Sequence, residues 1–135
     1  MTWINAIRNR LFSKGPPIEV HIWTMEDGGE IPVRKMTNEQ LVEAYKTAAR
    51  KSVINVLHTF VTESINVPSY IVQDYETEYK RWSDWCRILD AEVRKRGAMT
   101  AELQHFLDDI EEKSRTALQC DSTTAFATIA LIEEA

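Results

Sequence analysis

Histidines and neighbouring carboxylates are the first side chains of this 135-residue chain that could do chemistry directly. Glu102 and His105 form an E-x-x-H pattern, the spacing that places a carboxylate and an imidazole on one helix face in di-iron bundles. Such a centre needs a second copy of the pattern, and neither His21 nor His58 has an acid three residues before it. We therefore predict no metal site, and a metal-dependent hydrolase is the least favoured function.

Nucleophilic and phosphate-binding chemistry has little support either. Cys86 and Cys120 have no local signature of a catalytic thiol, and Cys86 falls in an apolar pattern that predicts a buried, inert side chain. Gly28-Gly29 is followed by strand-like residues and not by a helix, which argues against a phosphate-binding loop. The acids at 108–112 diverge around a helix and are predicted to face solvent. We predict no catalytic residue and no cofactor.

Binding chemistry is better represented, by aromatic and basic residues concentrated in the middle of the chain. Tyr, Trp and Arg are the side chains enriched at binding hot spots. Trp82 and Trp85 are three residues apart and share a side of a helix, so if Trp82 enters the core, Trp85 lies at its margin. The predicted contact residues are Trp23, Tyr79, Arg81, Trp85 and Arg87. Two other interpretations of these aromatic and basic residues stay open. They form part of the core and of a subunit interface, or they bind nucleobases and phosphates.

Charge is unevenly distributed along the chain. The net charge is −5, with +3 in residues 1–14 and −6 in residues 98–135, and the isoelectric point is near 5.2. This balance disfavours nucleic acid as a partner, because phosphate binding depends on clustered cations. No apolar run is long enough to cross a bilayer, no signal peptide is recognisable, and two cysteines cannot form a disulfide framework. We predict a cytoplasmic protein.

The elements that position these residues begin with a β-hairpin. Gly15-Pro16-Pro17 separates an amphipathic N-terminal arm, residues 1–14, from a single domain spanning residues 15–135. β-Branched and aromatic residues on both sides of Asp27-Gly28-Gly29 predict a hairpin at about 18–34, with Pro32 on an edge strand.

Helices follow the hairpin. Thr37 and Gln40 have the spacing of a capping box and predict a helix start. The apolar period of this helix predicts a buried stripe of Leu41, Tyr45, Ala48, Ala49, Val53, Val56, Leu57 and Phe60. Pro68 opens a second long helix over about Ser69 to Arg96; its basic end, Arg94-Lys95-Arg96, suits the negative end of the helix dipole, and Gly97 is predicted to end it in the left-handed conformation. Thr100 is predicted to cap a third helix, and residues 125–132 are a helix or a strand, with helix favoured. The fold class is mainly α with minor β. The second helix carries a heptad-like seam, which predicts a homo-oligomer; its members are Tyr75, Tyr79, Trp82, Cys86, Leu89 and Val93.

Part of the sequence resembles a pattern that recurs in small phage and prophage proteins of uncharacterised role. The likeness lies in the segment from Trp23 to Thr37, continuing to Leu41, Ala44 and Arg50, and in Tyr79, Trp82, Leu89, Glu92 and Arg96-Gly97. It covers about half of the chain; the N-terminal arm and residues 98–135 lie outside the pattern. The resemblance implies a phage-related accessory protein in the host cytosol and transfers no catalytic residue.

Two hypotheses about function remain from the sequence. In the first, the protein is a non-catalytic adaptor or inhibitor, for example an anti-defence protein, that binds a host or phage macromolecule with exposed Tyr, Trp and Arg side chains. In the second, it sequesters a small signalling nucleotide in a pocket at an oligomer interface. Ligand binding stabilises a native state by mass action, so a nucleotide binder should shift its melting temperature with a nucleotide panel.

Overall fold

A computed structural model describes residues 21–134 of the chain. It contains two strands, a 3-10 turn and four helices, and confirms the mainly helical fold class with an N-terminal hairpin. The predicted N-terminal arm at 1–14 and the first residues of the predicted hairpin, 18–20, lie outside the described residues. The elements in chain order are β1 (Ile22–Thr24), β2 (Glu30–Pro32), the 3-10 turn (Val33–Lys35), α1 (Asn38–Ser64), α2 (Ser69–Lys95), α3 (Ala101–Leu118) and α4 (Ser122–Glu134).

The hairpin is antiparallel and short, and it places one large side chain in the core. Trp23 pairs with Ile31 at its centre. Its turn depends on Gly28, whose φ of 88° is open to glycine at no steric cost, and on the Asp27 carboxylate, which accepts from the Gly29 amide at 2.8 Å. Because strand side chains alternate, Ile22 faces solvent while Trp23 is 9% exposed.

Local capping signals fix where the helices begin and end. The Thr37 hydroxyl accepts from the Gln40 amide at 3.1 Å, and the Gln40 side chain accepts from the Thr37 amide at 2.9 Å, which confirms the capping box. The Thr100 hydroxyl caps α3 by accepting from the Leu103 amide. Gly97 closes α2 with a φ of 66°, as its position after the basic residues predicted. Residues 125–132 are helical, within α4.

Helix α1 is the centre of the molecule, and the other three helices pack on it. α2 runs antiparallel along one side: the Tyr45 hydroxyl donates to Asp90 at 2.9 Å, and His58 stacks on Tyr75 with ring centroids 4.7 Å apart. The first half of α1 forms one core with the hairpin, the end of α2 and Leu103. Its second half forms another with α4.

The seam of α2 is divided between core and solvent. Leu89 and Val93 are fully buried, and Trp82 and Cys86 pack on the same core, so this half of the seam has its partner in α1 of the same chain. Tyr79, in the other half, is 38% exposed. A heptad pattern indicates that a helix packs on another helix, without saying whether the partner belongs to the same chain. Here α1 of the same chain covers most of the seam residues. Self-association remains a prediction. Leu89 and Val93 cannot form the subunit interface, because α1 of the same chain already buries them.

One arginine ties the end of α2 to the start of α1. The Arg96 guanidinium donates to the backbone oxygens of Met36 at 2.6 Å, Val33 at 3.0 Å and Arg34 at 3.1 Å. It also pairs with Glu92, one turn earlier, at 3.6 Å. These carbonyls belong to the 3-10 turn and to the residue that follows it. The planar fork of arginine suits this multiple contact, which fixes the hairpin against α2.

Within residues 21–134, no helix combines the length and the apolar character that crossing a bilayer requires.

Candidate binding groove

A groove runs between the hairpin and the first four turns of α1. Its volume is about 720 Å³. Three elements contribute to it: the hairpin, one face of α1 and a single side chain from α2, Trp82. The lining consists of Trp23 to Asp27 from the hairpin, then Glu39, Gln40, Glu43, Ala44, Thr47, Arg50 and Lys51 from α1, and Trp82. We call it the hairpin groove. A volume of this size is in the range of small-ligand and peptide-side-chain sites.

Three tryptophans, Trp23, Trp82 and Trp85, form the aromatic wall behind the groove, and we call them the tryptophan cluster. Trp23 lies between the other two, with ring centroids 6.0 Å from Trp82 and 5.1 Å from Trp85. Both contacts are edge-to-face, the arrangement that aromatic quadrupoles favour. The indole N–H of Trp82 donates to the Glu78 carboxylate at 3.1 Å. The cluster therefore holds the hairpin against α2, and two of its members, Trp23 and Trp82, give the groove an aromatic wall.

Basic side chains gather around the Trp82 ring at one end of the groove. Lys51 Nζ lies 4.6 Å from the ring centroid, and the guanidinium carbon of Arg81 lies 4.9 Å from it. Arg50 also lines the groove, while its guanidinium lies over the Phe106 ring of α3 at 5.6 Å. Cation–π contacts of this kind contribute about 0.5–1 kcal/mol at exposed positions. These contacts hold the cations close to the aromatic wall.

Carboxylates also line the groove. Glu26 and Asp27 come from the hairpin turn, and Glu39 and Glu43 from the first two turns of α1. All four are exposed. Glu39 and Glu43 are four residues apart, so they project from the same face of the helix. The α1 side of the groove therefore has an electrostatic direction: Glu39 and Glu43 lie at its beginning, which we call the carboxylate end, and Lys51 lies beside the Trp82 indole about three turns later.

The predicted contact residues divide into two groups. Trp23 lines the groove, although it is mostly covered, and Trp85 is half-buried behind it, against Trp23 and His21. Arg81 lies at the Trp82 ring and pairs with Glu78 at 3.4 Å. Tyr79 and Arg87 are exposed and do not line the groove, and Arg87 forms an ion pair with Asp84. The structure thus brings three of the five predicted residues to one place.

The carboxylate end was missed by the sequence analysis. Glu39 and Glu43 lie four apart on α1, which is a local signal, but it has no meaning until the hairpin is known to lie across the groove from α1. Asp27 served only to predict the hairpin turn. Opposing walls contributed by two elements are a property of tertiary packing, so no local pattern could have identified this end of the groove.

The other chemical candidates lie apart from the groove. Glu102 and His105 are both exposed, and the described residues contain no group of three side chains that could hold a metal ion. The four acids at 108–112 are exposed on the outside of α3, which confirms that this run faces solvent. Asp109 pairs with Lys113 and both glutamates pair with Arg115, while Asp108 accepts from the Gln104 side chain.

The two thiols should react very differently. Burial, with a smaller contribution from the nearby Asp90 carboxylate, raises the pKa of the Cys86 thiol to about 11, whereas Cys120 is exposed. Because the thiolate is the nucleophile, iodoacetamide at pH 8 is expected to alkylate Cys120 and to leave Cys86 unmodified in the folded protein. Mass spectrometry of the digested protein measures both sites. Denaturant should make Cys86 reactive; equal labelling of both thiols without denaturant would contradict the burial of Cys86.

Comparison with known proteins yields no match: no family model, no curated protein and no solved structure is significantly similar to this chain.

Proposed function

We propose that this protein acts by binding, without catalysis, and that the hairpin groove receives a segment of a partner protein. The observation that carries the proposal is the groove itself, a concave site with a tryptophan wall and charges of opposite sign at its two ends. Aromatic and arginine side chains in a partly desolvated pocket are the composition of interface hot spots. An adaptor or inhibitor needs such a surface and needs no reactive group.

The charges of the groove favour a protein segment whose basic side chains lie at the carboxylate end. The four acids of the lining, two of them at that end, would attract lysine or arginine and would repel a polyphosphate, since like charges placed together across an interface cost several kcal/mol. A segment with an acidic or aromatic residue further along could meet Lys51 and Arg81 beside Trp82. The electrostatic direction of the groove would then determine the direction of the bound chain.

The runner-up is a nucleotide stacked at the basic end. Lys51 and Arg81 around the Trp82 ring offer cations beside an aromatic plane, which is the chemistry such a ligand requires. The carboxylates of the same groove oppose it. A panel of signalling nucleotides should leave the melting temperature unchanged if the protein-segment proposal is correct, whereas a rise of several degrees would favour the nucleotide.

The carboxylate end provides the decisive variant. Glu39→Gln combined with Glu43→Gln is expected to weaken partner binding at least tenfold, because two charge-assisted contacts would be lost without a change in shape. The measurement is titration of fluorescent peptides of equal length, one with a Lys/Arg-rich end and one with Glu at the same positions, against wild type and variant. The tryptophan cluster supplies a second, intrinsic fluorescence signal.

A matched control separates this effect from net charge. Glu111→Gln combined with Glu112→Gln makes the same change in charge on the exposed side of α3, outside the groove. It should bind the basic peptide nearly as wild type does. Equal weakening by both double variants, or no preference of the wild type for the basic peptide, would contradict the proposed site.

The biological setting follows the sequence resemblance. We place the protein in the host cytosol as a phage-related accessory protein, where a binding function directed at a host or phage protein, including a defence protein, would operate.

A further inference from the structure

The last helix, α4, has an outer face unlike that of an ordinary surface helix. Phe126 is 50% exposed and Leu131 is 56% exposed, and Ala127 and Ala130 between them are exposed as well. No charged residue occurs from Ser122 to Ile132. The opposite side of the helix is already buried against α1, through Ala125, Thr128, Ile129 and Ile132. A helix that is apolar on all sides is normally buried on all sides, so this outer face lacks a partner among residues 21–134.

The pattern of the exposed residues is symmetric about the point midway between Thr128 and Ile129. Phe126 and Leu131 lie at equal distances from that point, and so do Ala127 and Ala130. If two copies of α4 met antiparallel across a two-fold axis there, Phe126 of the two copies would lie together along one edge of the contact and Leu131 of the two copies along the other, with Ala127 against Ala130 between them. Large side chains would meet large ones at the edges, and small ones would permit close approach at the centre.

Charge favours the same arrangement. Glu134 is exposed near the C-terminal end of α4. In the antiparallel pair it would lie opposite Thr123, in the first turn of the other copy. A carboxylate is stabilised near a helix N-terminus, where the unpaired amides carry partial positive charge. A parallel pair would instead place the acids of the two copies beside each other.

We propose that the outer face of α4 is an interface between two copies of this chain, paired antiparallel about its centre. The inference goes beyond the hairpin groove and does not depend on it, because none of these residues lines the groove. The footprint of a 13-residue helix, about 20 Å by 10–12 Å, is well below the roughly 800 Å² per partner of a standard stable interface. Two further apolar side chains are exposed at the ends of the neighbouring helices, Ile65 after α1 and Leu118 at the end of α3. The dimer is therefore weak and depends on concentration.

Sedimentation velocity across micromolar to sub-millimolar protein tests the proposal, with reductant present so that exposed Cys120 cannot crosslink the chains. Wild type should shift from monomer to dimer over this range. Phe126→Lys alone and Leu131→Glu alone should each remain monomeric with unchanged far-UV circular dichroism, since both positions are half-exposed. Tyr70→Glu is the matched control: it puts a charge on an apolar residue that is 65% exposed on α2 and should dimerise as wild type does.

Mixing two variants that carry opposite charges at position 126 tests the antiparallel pairing. Phe126→Glu alone should be monomeric, as Phe126→Lys is. In a heterodimer of Phe126→Lys with Phe126→Glu, the introduced lysine of one chain would lie beside the introduced glutamate of the other, and the Leu131 contact would remain, so an equimolar mixture should regain dimerisation. A monomeric wild type over the whole range overturns the proposal. So does a dimer that survives Leu131→Glu, or a mixture that stays monomeric.

Discussion

Replacing Arg96 with alanine is expected to lower the free energy of unfolding by about 2–4 kcal/mol, a large fraction of the stability of a domain this size. The guanidinium donates to three backbone oxygens between Val33 and Met36, and its side chain is only 20% exposed. Alanine would leave those oxygens short of a donor and would leave Glu92, whose side chain is 12% exposed, without its cation. Removing one partner of a largely buried charged contact is much more damaging than removing a surface pair.

Urea denaturation followed by far-UV circular dichroism measures the effect of the Arg96 change. Arg87→Ala is the control, because Arg87 forms an ion pair with Asp84 on the exposed side of the same helix and should change stability by less than about 0.5 kcal/mol. Arg96→Lys keeps the charge but offers a single nitrogen, which cannot reproduce the contacts that Nη1 makes to Met36 and Nη2 makes to Val33 and Arg34, so most of the loss should remain. If lysine restored the wild-type stability, charge at the end of α2 would explain the role of Arg96, and the contact to the 3-10 turn would not.

Trp23→Ala is expected to destabilise the protein by about 3–5 kcal/mol, the range for truncation of a buried aromatic side chain. The Trp23 ring is 9% exposed and packs edge-on against Trp82 and Trp85. It is the strand residue that joins the hairpin to α2, so its loss removes both the core contact and the attachment of the hairpin. Near-UV circular dichroism should lose most of its tryptophan signal.

The stability loss of Trp23→Ala is to be compared with that of Trp85→Ala. Trp85 is half-buried at the edge of the same cluster, so truncation should cost less, about 1–2 kcal/mol, with helicity kept. Thermal unfolding of both variants measures the difference. Equal losses would show that Trp85 is as deeply integrated as Trp23 and would remove it from the set of candidate contact residues.

The structural roles of Arg96 and Trp23 are the reason for testing the groove at Glu39 and Glu43 instead. Arg96 and Trp23 hold the hairpin in place, and the hairpin is one wall of the groove. A binding defect in either variant would report loss of the wall and would say nothing about contact with a partner. Glu39 and Glu43 are exposed and make no hydrogen bond or ion pair to another element within residues 21–134, so their replacement should change the chemistry of the groove and leave its shape intact.

The helices were predictable because their signals are local. The Thr37–Gln40 capping box, the cap at Thr100 and the left-handed Gly97 each involve residues no more than a few positions apart, and each is present as predicted. The apolar period of α1 identified Leu41, Ala48 and Leu57 as core, and all three are fully buried. Hydrogen bonds between near neighbours require little ordering of the rest of the chain, so sequence alone determines them.

The contacts that build the candidate site are of another kind. Arg96 reaches the carbonyl oxygens of residues about 60 positions earlier, and Trp23 meets Trp85 across a similar separation. The pattern of basic residues at the end of α2 predicted a favourable interaction with the helix dipole, and it carried no information about which backbone oxygens would lie nearby. Likewise, the seam of α2 predicted a helical partner, and only the fold showed that α1 of the same chain buries Leu89 and Val93.

The sequence by itself determined the helical class, the hairpin, the helix ends and the acidic balance of the chain, because composition, periodicity and capping act over a few residues. The tertiary structure alone decided that acids from the hairpin turn and from α1 face one groove, that Arg96 holds the hairpin, and that α4 keeps an apolar face outward. Such arrangements depend on which surfaces meet when several amphipathic elements pack together, and many pairings satisfy the same local patterns.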